Sequence, residues 1–200
     1  MKPNVSIVTS GNQGMENLLR GLKTIKESAV YVGIPEKNAG RKKGKGINNA
    51  QLLFLLTNGV RGVDMRRIMG AMQINRNINY KAALDLYLHT RGSAIWHIPP
   101  RPVIEPAIEA TGNKERLETL LHQALAAALD GEEEKAKRFY KLAGMEAQNI
   151  VRAWFTDPRN NWAPNAPSTI RAKGSSRPNI EFGEMRKAIT YVTQIGGKVE

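Results

Sequence analysis

Two hundred residues, 41% apolar and 24% charged, are enough for one domain with a real core and exclude a chain disordered throughout. Thirty Lys and Arg against eighteen Asp and Glu leave a formal net charge of +12, so an anionic partner is expected, either nucleic acid or an acidic protein surface. The absence of cysteine excludes disulfides and thiolate metal sites and suits a reducing cytosol, and with no apolar h-region after Met1-Lys2-Pro3 and apolar runs such as Leu52 to Leu56 far shorter than a span of about 20 residues, neither a secretory signal nor a membrane span is expected.

In chain order, Asn4 to Ser10 carries Val5, Ile7 and Val8 in a strand-like pattern that Gly11 and Gly14 should end. Glu16 to Lys26 sets Leu18, Leu19, Leu22 and Ile25 at helical spacing, and Ser28 to Ile34 reads as a buried strand stopped by Pro35. Glu36 to Asn48 holds Gly40, Gly44 and Gly46 among Lys37, Arg41, Lys42, Lys43 and Lys45. It reads as a mobile loop, either a grip on phosphates or an acidic partner, or a solvated hairpin tip; it lacks aromatics for base stacking. Asn49 to Thr57 predicts a helix ended by Asn58-Gly59, apolar nearly all round and therefore buried.

Residues 61–97 predict two further helices. Asp64 can cap the first, which bears Met65, Ile68, Met69 and Met72, and the second runs from Tyr80 to His89. The methionine stripe is read as adaptable core before interface. Pro99, Pro100 and Pro102 then force an extended backbone that should cross a sheet edge and reach a helix near Val103, with Arg101 either an interface charge or a solvated one. Leu117, Leu120, Leu121, Ala124, Leu125, Ala128 and Leu129 give the clearest periodicity, a helix from about Asn113 to Leu129. Asp130-Gly131 breaks it. A second helix opens on Glu132-Glu133-Glu134, where the dipole favours acid, and carries Phe139, Ala143, Ala147, Ile150 and Trp154 on one face up to Asp157-Pro158. The two should form an antiparallel hairpin on the sheet.

The stretch from Asn161 to Val192 mixes loop chemistry, a short helix and a strand. Ala163-Pro164-Asn165-Ala166-Pro167 cannot continue a helix; from Pro167, with Ser168 and Thr169 free to cap, a short helix should end near Lys173 with Gly174 in the left-handed position. Gly183 permits a tight turn, and Ala188 to Ile195 reads as a strand with Ile189, Tyr191 and Ile195 on one face, closed by Gly196-Gly197.

Asn165-x-Pro167-x-Thr169, then Lys173-Gly174-Ser175, Pro178, Gly183, Met185 and Ile189-Thr190-Tyr191, resembles the C-terminal signature of tail-completion and neck proteins of tailed bacteriophages. Ile98-Pro99-Pro100-Arg101-Pro102 leading into Pro106-Ala107-Ile108 resembles that family's I-P-x-R-P-F-[IL]-x-P-A element, and Val30-Tyr31-Val32-Gly33-Ile34-Pro35 its first strand. The segments come in the family's order, with two departures: Ile180-Glu181-Phe182-Gly183 stands where an Asp-Thr-Gly turn is usual, and residues 61–97 read as a helical insertion. The resemblance implies an α+β fold with a small, mainly antiparallel sheet packed by a long helical hairpin in one domain of residues 1–200. It also implies a structural virion protein that completes or terminates the tail and joins it to the head connector. The expected partners are other copies of the chain in a ring, most often a hexamer, the tail tube protein, and a head connector or adaptor protein, with genomic DNA passing through the lumen. The location would be the virion neck or tail end, and the host cytoplasm during assembly. Loops 36–48 and 157–182 would be docking elements, with Arg41, Lys42, Lys43, Arg101, Trp162, Arg171, Lys173 and Arg177 at the interfaces.

No catalytic constellation is legible, and no enzyme, cofactor or metal is expected. His89, His97 and His122 lack the spacing of helical metal pairs, Ala172-Lys173-Gly174-Ser175 lacks the leading glycine of a phosphate loop, and Glu132 to Glu134 point in different directions on a helix. The alternative to a neck subunit is a basic nucleic-acid-binding protein, with Lys and Arg gathered on one face and binding that weakens steeply with salt.

Overall fold

A computed structural model describes residues 10–41, 46–91, 96–180 and 183–199. The elements are α1 (Ser10–Lys26), β1 (Ala29–Gly33), α2 (Asn49–Asn58), β2 (Val60–Arg61), α3 (Val63–Arg76), α4 (Tyr80–Arg91), β3 (Trp96–Ile98) and α5 (Ile104–Glu109). They continue with α6 (Asn113–Leu129), α7 (Glu133–Trp154), α8 (Pro167–Lys173), α9 (Glu184–Ala188), β4 (Thr190–Ile195) and β5 (Lys198–Val199). The fold is α+β, with a three-stranded antiparallel sheet of order β1-β4-β5 and a separate β2-β3 ribbon. Read as a single domain from its sequence, the chain groups into two compact units. One takes Met1–Pro35, Ile104–Trp154 and Lys187–Glu200, the other Glu36–Val103 and Phe155–Arg186.

The first unit is built on the α6–α7 hairpin and the sheet. Asp130-Gly131 breaks the helices as expected, with Gly131 at φ 79°. Small residues on α7 let the sheet approach closely: Ala143, Gly144 and Ala147 are buried, and the Tyr191 ring lies where a Cβ on Gly144 would stand. At its end Arg152 donates to the carbonyls of Ile189 and Lys187 at 2.9 and 3.0 Å, fixing the chain's entry into β4. Of the expected α6 stripe, Leu117, Ala124 and Ala128 are buried, whereas Leu121 and Leu125 are exposed and Ala127 is buried instead.

Strand β1 pairs with β4 from Ala29↔Gln194 to Gly33↔Thr190. The expected strand from Ala188 begins two residues later, because Glu184-Met185-Arg186-Lys187-Ala188 are strong helix formers and make α9 after a left-handed Gly183. Gly196 and Gly197, at φ 54° and 82°, form the two-residue turn of a hairpin whose return strand, β5, went unpredicted.

Helix α1 also departs from expectation. Residues 4–9 lie outside the described residues, and the helix, expected from Glu16, begins at Ser10 and runs through Gly11 and Gly14, the residues expected to end a strand. An interior glycine costs a helix only about 1 kcal/mol, and α1 has compensating packing: Gly21 is buried against the Ala128 carbonyl, and Ile25 packs on Ala127, Ala128 and Ala136.

In the second unit, α3 and α4 close on Met65, Met69, Ala83 and Tyr87, all buried, so the methionine stripe is core. Asp64 does not cap α3; Gly62 occupies the cap position and Asp64 sits in the first turn, 3.6 Å from Arg67. Helix α2 is capped by Asn48 and Gln51 in a reciprocal pair and ends at Gly59 as expected. It is not buried all round. Asn49 and Leu53 face inward, while Phe54 is 67% exposed and Leu55 36%, because α2 packs against neighbours on one side only.

Candidate functional site

The proline-rich segments of the second unit are held together by one arginine. Pro99, Pro100 and Pro102 deny the chain a regular ladder, and Arg101 is turned inward, only 5% exposed. Its Nε donates to the Ala163 carbonyl at 2.9 Å and its terminal nitrogen to the Pro164 carbonyl at 3.0 Å, while its own amide bonds the Leu56 carbonyl at 2.7 Å. Neither of the expected roles, interface charge or solvated charge, fits. Arg101 is an internal clamp, and its burial holds the guanidinium pKa below the usual arginine value. No carboxylate pairs with it among the described residues. Backbone carbonyls satisfy a planar fork of donors as a carboxylate would, without needing a second buried charge.

Trp162 is fastened in the same way. Its indole N–H donates to the Pro102 carbonyl at 2.9 Å, and its ring meets the buried Phe155 edge-on with centroids 5.8 Å apart. It is half-buried against its own unit. An anchor offered to a partner would instead stand free, so Trp162 is read as a strut of the 157–166 loop.

Helix α8 matches the sequence: Pro167 at its start, Gly174 at φ 67° after its end. Ser168 and Thr169 do not cap it; Ala166 stands at the cap with no side-chain bond. Lys173, expected as rim charge, reaches back to the carbonyls of Arg177 and Ile180, the latter at 2.9 Å, and so folds residues 173–180 onto the helix. Arg171 and Arg177 are exposed and remain candidates for a charged rim. Lys42 and Lys43 lie outside the described residues.

These segments enclose a groove of about 640 Å³. Leu52, Leu56, Ile98, Pro99 and Ile180 supply apolar lining, and Arg41, Arg101 and Lys173 supply cations. Asn165, 7% exposed, lines it and donates to the Ser176 carbonyl at 3.0 Å. Sequence reasoning named the three cations but took them as separate surface charges. It missed Asn165 and Asn179 as lining, since a polar residue in a loop carries no signal of what it faces.

The first unit presents a second candidate surface. Met15, Leu18, Leu19 and Leu22 on α1 are 40–59% exposed, although their spacing is that of a core-facing stripe. Among the described residues no cluster of three or more His, Asp or Glu could hold a metal, and no helix is long and apolar enough to cross a membrane. His89 and His122 are exposed, and the His97 side chain lies outside the described residues. No family model, curated protein or solved structure matches the chain.

Proposed function

We propose that the chain is a structural subunit of a tailed-phage neck, forming a ring that completes the tail and joins it to the head connector. The observation that carries this reading is the exposed apolar surface found in both units: the α1 face in one, Phe54, Leu55, Val63 and Ile74 in the other. A ring needs a heterologous interface, so each subunit must present two different surfaces that complement each other and not themselves. Large apolar side chains left in water on two separate units are the raw material for such contacts. The α+β framework, with a helical hairpin on a small antiparallel sheet, agrees with the fold that the sequence resemblance implies. Preordered loops also lose little entropy when they dock.

The test is the mass of the purified protein by light scattering, alone and with purified tail tubes, followed by electron microscopy of the product. A closed ring in solution, or a monomer that forms a ring only on tail ends, is the expected result. A monomer that ignores tail tubes, binds DNA tightly at low salt and releases it at high salt would replace the neck reading with the nucleic-acid one.

A further inference from the structure

We infer that the open edge of β1 accepts residues 4–8 of a second copy of the chain as an added strand. The inference rests on the proposed assembly of copies and names one of its contacts. Strand β1 is an outer strand of the β1-β4-β5 sheet and pairs along one side with β4. In an antiparallel strand every second residue turns both its amide and its carbonyl away from the partner. Along β1 those groups meet no hydrogen-bond partner among the described residues. Such a row is a template for one more strand, and a polypeptide main chain is what offers donors and acceptors at the matching spacing.

Beside that edge lies an apolar recess of about 280 Å³. Val30 and Val32 of β1, Ile108 of α5, Leu117 and Leu121 of α6 and Ala143 of α7 line it. None of its described lining residues belongs to β4, so it opens on the unpaired side of β1. A strand added there would carry its alternate side chains over Leu117 and Leu121. Leu121 is 39% exposed although its spacing is that of core. The charged residues of the lining are Glu109, Lys114 and Glu118, and Glu109 already holds Lys114 at 3.0 Å. The charge left over is negative, which disfavours a phosphate or an acidic chain and suits an uncharged segment.

Asn4-Val5-Ser6-Ile7-Val8 is such a segment: Val5 and Ile7 fall on one face of a strand, and none of the five side chains is charged in a chain of net charge +12. It joins α1 through Thr9 alone, at the end of a 17-residue helix about 25 Å from the turn into β1, which favours the edge of a neighbour over its own. A strand carried at one place and an open edge at another are two different surfaces, as a head-to-tail ring requires.

Cysteine cross-linking of the full chain tests this, because the chain has no cysteine of its own. Leu121→Cys is combined in turn with Val5→Cys, Ser6→Cys, Ile7→Cys and Val8→Cys, and circular dichroism checks that each variant folds. Each is oxidised alone and on purified tail tubes, then run on a non-reducing gel beside the single variants. A disulfide forms only where two Cα atoms come within about 7 Å, so its yield reads proximity. The expected result is a ladder of linked copies, several-fold stronger from Val5→Cys and Ile7→Cys than from Ser6→Cys and Val8→Cys, with no ladder from any single variant. No linkage under either condition, equal linkage from all four positions, or a disulfide closed within one copy would each overturn the inference. Alternating linkage without rings on tail ends would keep this contact and remove the neck reading; rings without linkage would do the reverse.

Discussion

Arg101 is a positive charge placed inside the protein with only carbonyl oxygens to meet it. Replacing it by lysine keeps the charge but not the planar fork, so a shorter side chain ending in one nitrogen cannot reproduce both bonds in their present geometry. Arg101→Lys should destabilise the protein by about 2–3 kcal/mol, read as a lower urea midpoint, with faster hydrogen exchange in residues 161–166. Unchanged exchange there would mean that the clamp does not order the loop. Gly144 sets a limit of another kind: any Cβ meets the Tyr191 ring. Gly144→Ala should cost about 1–3 kcal/mol by overpacking despite alanine's better helix propensity, measurable as a drop in Tm. Asp157 is the residue with a pH signature. Hydrogen bonding to the Arg159 side chain, 2.7 Å at its closest, holds its carboxyl below the ordinary value of 3.8. Since the folded value is the lower one, the contribution is complete above 3.8 and is lost as pH falls through the folded value. The pair is solvated, so Asp157→Asn should remove only about 0.5 kcal/mol, and only that acid part of the stability profile. A loss of stability that is the same at pH 3 and pH 7 would count against the pairing.

At the scale of elements, α1 separates two meanings of an apolar stripe. Its periodicity was legible in Leu18, Leu19, Leu22 and Ile25, but periodicity gives a face and not what covers it. Ile25 is in contact with the hairpin, whereas Leu19 is 59% exposed and Leu22 50%. Leu22→Glu should therefore leave the melting temperature of the monomer nearly unchanged, within about 0.5 kcal/mol, while abolishing assembly if the face lies at a subunit contact. Assembly that survives the substitution would remove α1 from the interface. Helix α2 makes the same point in reverse, since its run of leucines predicted burial on all sides and Phe54 faces water. The α6–α7 hairpin was legible almost to its ends. Long helices with a broken connection leave few alternatives, and Asp130-Gly131 marks the break without reference to anything distant. The short strand β5 was not, because a two-residue strand exists only where a neighbour pairs with it.

For the whole molecule, the net charge of +12 and the exposed apolar faces make opposite demands on salt. Contacts between exposed charges weaken once the screening length falls to a few ångströms, while apolar contacts do not. If apolar faces hold the ring, its mass by light scattering should stay constant between about 0.1 and 1 M salt; dissociation over that range would assign the assembly to charge instead.

The amino-acid sequence alone determined what depends on neighbours in the chain: the α6–α7 pair from its spacing, the Asn48 and Pro167 starts and the Gly59 and Gly174 stops of short helices, the β1 and β4 segments from their β-branched residues, and the basic character of the whole. Tertiary structure decided what depends on residues far apart. Arg101 became a clamp because residues 163 and 164 come within 3.0 Å of it, though more than sixty positions away. Arg41, Lys173 and Asn179 became one groove only because α2, the proline segment and α8 meet around it. Local propensity is an interaction between residues a few bonds apart and is written in order. Burial, charge pairing and an unpaired amide are properties of what arrives from elsewhere in the chain, and no window of sequence contains them.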